Sequence, residues 1–361
     1  MTFARTVWLL ISALLLVVSG VAQAQGVACL TGPQLRSMLA STWKLPDARQ
    51  EIVVGPLKNG KAYHPVIVYS STPSRTEAAS TKRSGAGYVI NINARAVGAA
   101  LLVLDAQYLC AHNPQGYCSH TLEYLIYLNQ VSDPSEASTI DEFIKADPQA
   151  SCRIRSERIY VAGMSAGYED TLLEFILHEL GHIALGHLDG KTCTDAICLR
   201  NTEAEADGFA MEVRRISGRP PATAAPLMAL AAAQTSPQLN PKLSNYPPPA
   251  CRLQAAANDV ARWWSTNAGH ELAGSDTPEL RRLLKRLERF LLSSDEAHSA
   301  IDKSINCTEY LEGVTRGIQR AASLVDQNTT LDVAGPVTPR AASDGAKPKA
   351  PPAKGQQPGS P

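Results

Sequence analysis

The sequence predicts an α+β fold followed by a mostly helical C-terminal region, and three observations support this prediction. Segments with the composition of β-strands occur in the first third of the 361-residue chain. A long apolar segment, Thr171–His187, lies near the middle and has the pattern of a buried helix. Beyond residue 250, amphipathic helical patterns dominate. The length allows one large or two modest domains.

Residues 1–24 have the pattern of a secretory signal peptide. Arg5 supplies the positive start, an apolar run follows, and Ala22-Gln23-Ala24 fits the small-x-small cleavage rule. The apolar run is short for a membrane span, which needs about 20 residues, so cleavage is favoured over an uncleaved anchor. We therefore expect an exported, periplasmic or extracellular chain whose mature form has no membrane span.

Short elements are predicted before the apolar helix. Ser70–Gly87 is polar and is predicted to be a loop, and Arg158–Ala162 is the clearest strand of the chain. The other predicted strands are Glu51–Val54, Val66–Tyr69 and Tyr88–Asn93, and the predicted helices are Gln34–Trp43 and Leu122–Leu128.

The apolar helix contains an HExxH motif, His178-Glu179-Leu180-Gly181-His182. Residues four apart share a helix face, so His178 and His182 point the same way. Two neutral imidazoles in that arrangement form half of a tetrahedral zinc site. Glu179 lies beside them, where it can act as a general base on a zinc-activated water. A core helix with incidental histidines is the alternative, but buried His and Glu need partners.

A second segment, NTEAEADGFAM, offers the third ligand. Glu203 lies 21 residues after His182 and can return on a second helix. Asp207 shares the face of Glu203 and can accept the ring N–H of His178 or His182. Glu205 is the rival ligand but points elsewhere, and a solvated helix face is the alternative for the whole set. Small residues would let the two helices pack closely: Ala204, Ala206, Gly208 and Ala210.

His187 is the remaining histidine near the motif. The metzincin pattern fails, because Leu185 and Leu188 stand where it needs Gly and His. His187 could be an unusual third ligand, but five residues beyond His182 it would point away from the pair. We interpret it as a helix-end residue whose cationic imidazole suits the helix dipole.

These residues resemble the core of the CAAX-prenyl-endoprotease/HtpX family of zinc metallopeptidases. That family shows a strand, a short glycine-containing turn, an acidic pair, an apolar HExxH helix, another His five residues on, and a later Glu-x-x-Ala-Asp. Residues 158–212 match it, although the gap from His182 to the later Glu is shorter than is usual. The matching later positions are Glu203, Ala206, Asp207, Phe209 and Ala210.

The resemblance implies a zincin-like catalytic domain that acts as a gluzincin endopeptidase on protein or peptide substrates. It assigns His178, His182 and Glu203 to zinc and Glu179 to the catalytic base. Gluzincins usually place an edge strand beside the active-site helix, where a substrate peptide adds by backbone hydrogen bonds, and Arg158–Ala162 is the candidate strand. The oxyanion also needs a donor, for which His270, Tyr246, Arg214 and His298 are candidates.

Two other functions stay open. Gly163–Gly167 reads GMSAG, a match to the G-x-S-x-G elbow of serine hydrolases, placed between a predicted strand and a helix. A serine esterase would then use Ser165 with a later Asp and His. Its partners would be Asp259 or Asp276 with His270 or His298, but no glycine-rich oxyanion segment precedes the motif. The other possibility is a catalytically silent metal-binding protein.

Eight cysteines remain after the predicted cleavage, and an even count in an exported chain indicates disulfides. Sequence proximity favours Cys110–Cys118 and Cys193–Cys198, which leaves Cys29–Cys152 and Cys251–Cys307. Cys193 and Cys198 could instead bind a metal, but no second pair completes such a site.

The chain divides into five predicted parts: a signal peptide (1–24), a zincin-like metallopeptidase domain (25–217), a Pro/Ala-rich linker (218–250), a helical region (251–328) and a disordered tail (329–361). Helices are predicted over Leu253–Trp264, Pro278–Leu292 and Ser294–Val325, either as a small subdomain or as part of the catalytic core. Lys plus Arg equals Asp plus Glu, 34 each, so charge gives no argument for nucleic acid or an anionic membrane. The oligomeric state is not decided.

Overall fold

The computed structural model describes residues 34–35, 49–70, 78–131, 136–189, 193, 195–219, 221, 247, 249–264, 307–326 and 329–336. In these residues the fold is mixed α and β and mostly helical. The strands are β1 (Arg49–Gly55), β2 (Val66–Ser70), β3 (Ala79–Ser84), β4 (Gly87–Asn93) and β5 (Thr330–Pro336). The helices are α1 (Ala94–His112), α2 (Pro114–Tyr117), α3 (Thr121–Gln130), α4 (Ile140–Phe143), α5 (Pro148–Arg155), α6 (Arg158–Ala184), α7 (Ala196–Ile216), α8 (Pro249–Trp264) and α9 (Thr308–Leu324).

The five strands form one sheet in the order β3-β4-β2-β1-β5. Strand β4 pairs antiparallel with β3 and parallel with β2, and β1 pairs antiparallel with β2 and β5. The hairpin between β3 and β4 closes through Gly85, whose φ of 61° lies in the left-handed region that favours glycine. Strands β3 and β5 therefore form the two edges of the sheet.

The sheet confirms three predicted strands, β1, β2 and β4, and corrects two other predictions. Ala79–Ser84 lies inside the predicted loop but forms β3. Strand β3 is short and polar and lies at the edge of the sheet. Edge strands often carry polar and charged residues, so its sequence lacks the apolar alternation by which inner strands are recognised. Thr330–Pro336 lies in the predicted disordered tail but pairs with β1. The rest of that tail lies outside the described residues.

Helix α6 corrects the strand prediction for Arg158–Ala162. These residues form the first turns of a 27-residue helix that continues through the HExxH motif. Tyr160 is buried, donates a 2.7 Å hydrogen bond to Asp105 Oδ1 and packs edge-on against Tyr108. Such tertiary contacts override the β-favouring composition of a short segment. Gly163–Gly167 is also helical, so the strand-turn-helix context of a serine-hydrolase elbow is missing.

The main core lies between the sheet and α6. Apolar side chains of α6 pack on the buried face of the sheet, which leaves the polar motif residues on another side of the helix. The cluster includes Ile52, Ile67, Ile90 and Ile92 of the sheet, Leu173, Ile176, Leu177 and Leu180 of α6, Phe209 of α7 and Ala321 of α9. A second core joins α1, α3 and α4 and includes Leu102, Leu109, Tyr124 and Ile140.

Helix α9 packs against α7 at very short range. A Cβ atom on Gly208 of α7 would lie 2.1 Å from the Val314 carbonyl oxygen, and one on Gly317 of α9 would lie 2.1 Å from that of Glu205. Glycine at these positions thus permits the contact. Of the two interpretations of the C-terminal region, α9 and β5 support a shared core, because Ala321 of α9 joins the α6 cluster and β5 extends the sheet.

Other predictions have mixed outcomes. Helices α3 and α8 confirm Leu122–Leu128 and Leu253–Trp264, and α9 lies within Ser294–Val325. Gln34 and Leu35 are helical, whereas the rest of that predicted helix and Pro278–Leu292 lie outside the described residues. None of the described helices combines the length and apolarity needed to cross a membrane.

Three predicted disulfides are present: Cys110–Cys118, Cys193–Cys198 and Cys251–Cys307. Because Cys193 and Cys198 are bonded to each other, their alternative role as metal ligands is excluded. Cys152 is also disulfide-bonded, and Cys29, its predicted partner, lies outside the described residues. The three disulfides fit an exported protein.

Candidate metal centre

The HExxH face of α6 meets α7 where both helices carry small residues. A Cβ atom on Gly181 would lie 3.0 Å from the Ala206 Cα atom, so this glycine sets the close approach of the two helices. Asp195 caps the start of α7 by accepting a 2.8 Å hydrogen bond from the Cys198 N–H. The result is that one turn of α7, beginning at Glu203, faces His178 and His182.

Three of the predicted residues converge on one point. The His178 and His182 Nε2 atoms are 3.3 Å apart. The Glu203 carboxylate lies 3.2 Å from the first through Oε2 and 3.4 Å from the second through Oε1. Tetrahedral ligands at zinc bond lengths stand roughly 3.3 Å from one another. Among the described residues, this is the one group of three or more His, Cys, Asp and Glu side chains able to hold a metal ion.

Asp207 supports His178 from behind. Its Oδ1 atom lies 2.7 Å from His178 Nδ1, the contact that the helix spacing predicts. Arg252 of α8 donates to the same carboxylate through Nε at 2.9 Å, and the Tyr310 hydroxyl of α9 donates at 2.7 Å. Arg252 also lies 3.2 Å from Glu203 Oε2. Asp207 is thus held in place by both C-terminal helices.

His187 supports His182 in a similar position. The Nδ1 atoms of the two rings are 3.1 Å apart, and His187 Nε2 lies 3.4 Å from Glu205 Oε2. Burial and the neighbouring His182 lower the pKa of His187 to about 4. This shift disfavours the cationic form that the sequence interpretation gives His187, and the ring lies against His182 and Glu205 beyond the end of α6. Glu205 points away from the cluster, as expected, and pairs with Arg316 and Arg320 of α9.

The charges around the cluster favour a cation at its centre. Burial would lower the pKa of His178, but Asp207 and Glu203 raise it well above its usual value. Burial would raise the pKa of Glu203, but hydrogen bonds and charge from His178 and His182 hold it well below its usual value. The two shifts have one cause, because each group stabilises the charged form of the other, and the carboxylates therefore attract positive charge to this point. Binding of a metal cation to such residues displaces protons from the histidines.

Glu179 is buried beside the two histidines. Burial raises the pKa of its carboxyl, while His178, His182 and the Thr81 hydroxyl lower it, and the net shift is upward. The buried Thr81 hydroxyl makes no hydrogen bond of good geometry to a described residue, so its effect on Glu179 is one of proximity. Thr81 belongs to β3, and the strand next to the motif is therefore this edge strand and not Arg158–Ala162.

Arg214 and Asp259, the remaining predicted residues that the structure describes, do not join the cluster. Arg214 is fully buried, donates to the Asp170 carbonyl and pairs with Asp170 and Glu174, so it is not available as an oxyanion donor. Asp259 is buried in α8, and burial raises its pKa to about 6. The other candidates, Tyr246, His270, Asp276 and His298, lie outside the described residues.

Sequence reasoning missed Arg252 and Tyr310, which stand 45 and 103 positions from Asp207. No local pattern connects residues that far apart in the chain. Comparison of the chain with protein-family models, with curated proteins and with solved structures gives no match. Its function must therefore be inferred from the geometry of these residues.

Proposed function

We propose that the protein is an exported zinc metalloendopeptidase of zincin-like fold. One observation carries the proposal: His178 Nε2, His182 Nε2 and the Glu203 carboxylate lie 3.2 to 3.4 Å from one another, with Glu179 buried next to them. Three protein ligands together with an adjacent carboxylate are typical of catalytic zinc sites, which keep an open position, whereas structural zinc sites are filled by four protein ligands.

The donor set favours zinc over other common cations. Two imidazole nitrogens and one carboxylate suit Zn²⁺, whereas Mg²⁺ and Ca²⁺ prefer all-oxygen sites. The supporting contacts agree, because the Nδ1 atom of each metal-facing histidine has a partner behind it, as ligating histidines usually do. Zinc held by these residues supplies Lewis-acid chemistry, polarising a substrate carbonyl and acidifying water.

Glu179 would carry the proton transfers. A buried carboxylate with a raised pKa is a better base near neutral pH than an exposed one. In the proposed reaction it removes a proton from the attacking water and later delivers it to the nitrogen of the leaving amine, as the peptide C–N bond breaks. The hydroxyl oxygen of the water ends on the new carboxylate, so the reaction needs no other co-reactant.

The position of β3 supports a peptide as the substrate. It is an edge strand with its second side unpaired by any other strand of the described sheet, and its Thr81 lies next to Glu179. An extended peptide can add to such an edge through backbone hydrogen bonds. A substrate bound in this way would run alongside the HExxH helix and bring one peptide bond to the metal-facing residues.

The proposal is tested by comparing Glu179→Gln with the wild-type chain. The substitution keeps all three ligands and removes the base, so zinc content should stay unchanged while cleavage of casein falls by at least about 10²-fold. Ser165→Ala is the matched control for the serine-hydrolase alternative, and it should keep near-normal activity.

Two results would oppose the proposal. Loss of activity in Ser165→Ala together with resistance to a chelator would favour a serine esterase. A wild-type chain that binds zinc but cleaves neither casein nor shorter peptides would leave a catalytically silent metal-binding protein.

A further inference from the structure

We propose that His187, held by Glu205, positions His182 as a metal ligand by accepting a hydrogen bond from the N–H at His182 Nδ1. This inference rests on the proposed function, because it concerns the same metal site. It gives a role to two residues outside the ligand set: a histidine that the helix pattern places away from the ligand pair, and a carboxylate that the pattern points away from the metal.

The geometry of the two rings defines which nitrogen does what. His182 Nε2 faces the cluster, 3.4 Å from Glu203 Oε1, while its Nδ1 faces His187 Nδ1 at 3.1 Å. When Nε2 serves as a ligand atom, the ring proton of the neutral imidazole must sit on Nδ1. His187 Nδ1 then accepts a hydrogen bond from that N–H, so the ring proton of a neutral His187 sits on Nε2, which faces Glu205 Oε2 at 3.4 Å.

The surroundings hold His187 in this orientation. Its side chain is only 8% exposed, and its backbone N–H donates a 2.9 Å hydrogen bond to the His182 carbonyl. The two imidazole planes meet at 70°. His187 is therefore fixed both through its backbone and through its ring, as a positioning residue must be.

Glu205 is fixed in turn by α9. It accepts hydrogen bonds from Arg316 Nε at 3.1 Å and from Arg320 Nη1 at 2.5 Å. Arg320 also donates to the Leu185 carbonyl at the end of α6, at 2.7 Å. The two arginines thus compensate the charge of the Glu205 carboxylate. They also hold Glu205 Oε2 near His187 and away from the metal-facing atoms of His178, His182 and Glu203.

The two metal-facing histidines are then supported in parallel ways. His178 donates directly to Asp207, which Arg252 and Tyr310 hold. His182 donates through His187 to Glu205, which α9 arginines hold. In both cases the C-terminal helices supply no ligand but fix the carboxylate that orients one.

The test measures zinc affinity by competition with a chromogenic chelator for the purified chain and for His187→Leu and His187→Asn. Leucine fills the space but accepts no hydrogen bond, so zinc affinity should fall about 10- to 100-fold. Asn carries its Oδ1 where His carries Nδ1, so most of the affinity should return. His64→Leu, at an exposed histidine outside the site, is the control and should bind zinc like the wild type.

Cobalt substitution provides a second readout that a purely structural role would not change. The visible absorption of bound Co²⁺ reports ligand geometry, so its bands should shift in His187→Leu and recover in His187→Asn. Glu205→Gln removes the charge behind His187 and should cause an intermediate loss of zinc affinity. This variant decides the matter if the leucine variant fails to fold, since wild-type affinity in Glu205→Gln would then overturn the proposal.

The remaining outcomes also separate the two proposals. Wild-type zinc affinity and an unchanged cobalt spectrum in His187→Leu would overturn the role of His187 and leave the proposed function intact. Equal losses of zinc affinity in the leucine and asparagine variants would overturn the role of His187, because they would show that packing matters and the accepted hydrogen bond does not. A wild-type chain without zinc affinity would overturn both proposals.

Discussion

Asp207 links the candidate metal centre to the C-terminal helices α8 and α9. Its carboxylate accepts hydrogen bonds from His178, Arg252 and Tyr310. Asp207→Asn keeps the size of the side chain but removes the charge that holds the His178 ring proton on Nδ1. We expect zinc affinity to fall about 10- to 100-fold. The fold should persist, because such a hydrogen bond contributes about 1–3 kcal/mol.

Zinc titration of the metal-free forms of Asp207→Asn and wild type measures this effect. Glu123→Gln makes the same carboxyl-to-amide change at a side chain that is 71% exposed, and it should titrate like the wild type. Overlapping titration curves for Asp207→Asn and wild type would show that the charge of Asp207 does not support zinc binding.

Glu174 predicts a pH dependence of stability. Burial raises its pKa from 4.5 to about 7, against the opposing effect of Arg214. The folded state therefore holds this proton more tightly than the unfolded state does. The free energy of unfolding should fall as pH rises from about 4.5 to about 7, by up to about 3 kcal/mol from this group.

Glu174→Gln should remove this part of the pH dependence and stabilise the protein at pH 8 relative to wild type. Urea unfolding at pH 5.5 and pH 8 gives the two differences to compare, and Glu123→Gln serves again as the exposed control. An unchanged pH dependence in the variant would show that Glu174 is already ionised in the folded protein at both pH values.

At the residue scale, the sequence predicts what helix periodicity determines. His178, His182, Glu203 and Asp207 lie on faces that a four-residue spacing defines, and the structure brings them together. The contact of His187 with His182 depends on how the chain turns after α6 ends at Ala184, which periodicity does not describe. The partners Arg252 and Tyr310 come from distant helices and need the tertiary fold to be known.

At the scale of elements, the packing of α9 on α7 depends on glycines at the contact, Gly208 and Gly317. Gly317→Ala would place a Cβ atom 2.1 Å from the Glu205 carbonyl oxygen, and backbone cannot yield as a flexible side chain does. We expect α9 to shift away from α7, with a loss of about 1–3 kcal/mol in stability. Because Arg316 and Arg320 would move with α9, zinc affinity should fall as well.

Thermal unfolding followed by circular dichroism measures the loss of stability in Gly317→Ala, and competition with a chelator measures the loss of zinc affinity. Gln319→Ala changes an exposed position two residues away on the same helix and should leave both unchanged. A Gly317→Ala variant with wild-type melting temperature would mean that the two helices separate at no cost.

A helix or strand is predictable from the sequence where a single segment carries the complete apolar periodicity of that element. Strands β1, β2 and β4 and helices α3 and α8 have such patterns. Arg158–Ala162 does not, because its β-favouring composition is outweighed by the burial of Tyr160 against Asp105 and Tyr108. Strand β3 is missed for the opposite reason, since its polar sequence becomes a strand only by pairing with β4.

At the scale of the whole molecule, the described C-terminal segments add to the sheet and to the helical core that the earlier part of the chain forms. Strand β5 closes one edge of the sheet, α9 covers α7, and the Cys251–Cys307 disulfide joins the start of α8 to the residue before α9. The side chains that hold Asp207 and Glu205 also come from this region, namely Arg252, Tyr310, Arg316 and Arg320. We therefore interpret the described parts of the chain as one packed unit around the α6–α7 pair.

The central claim is that this unit holds one zinc ion, and the zinc content of the purified chain tests it most directly. Elemental analysis should give about one zinc per wild-type chain and close to none for His182→Ala, because the variant loses one of three ligands. His64→Ala, at an exposed histidine outside the cluster, should retain the wild-type content. A wild-type chain without zinc after purification in zinc-containing buffer, or equal zinc in wild type and His182→Ala, would contradict the claim.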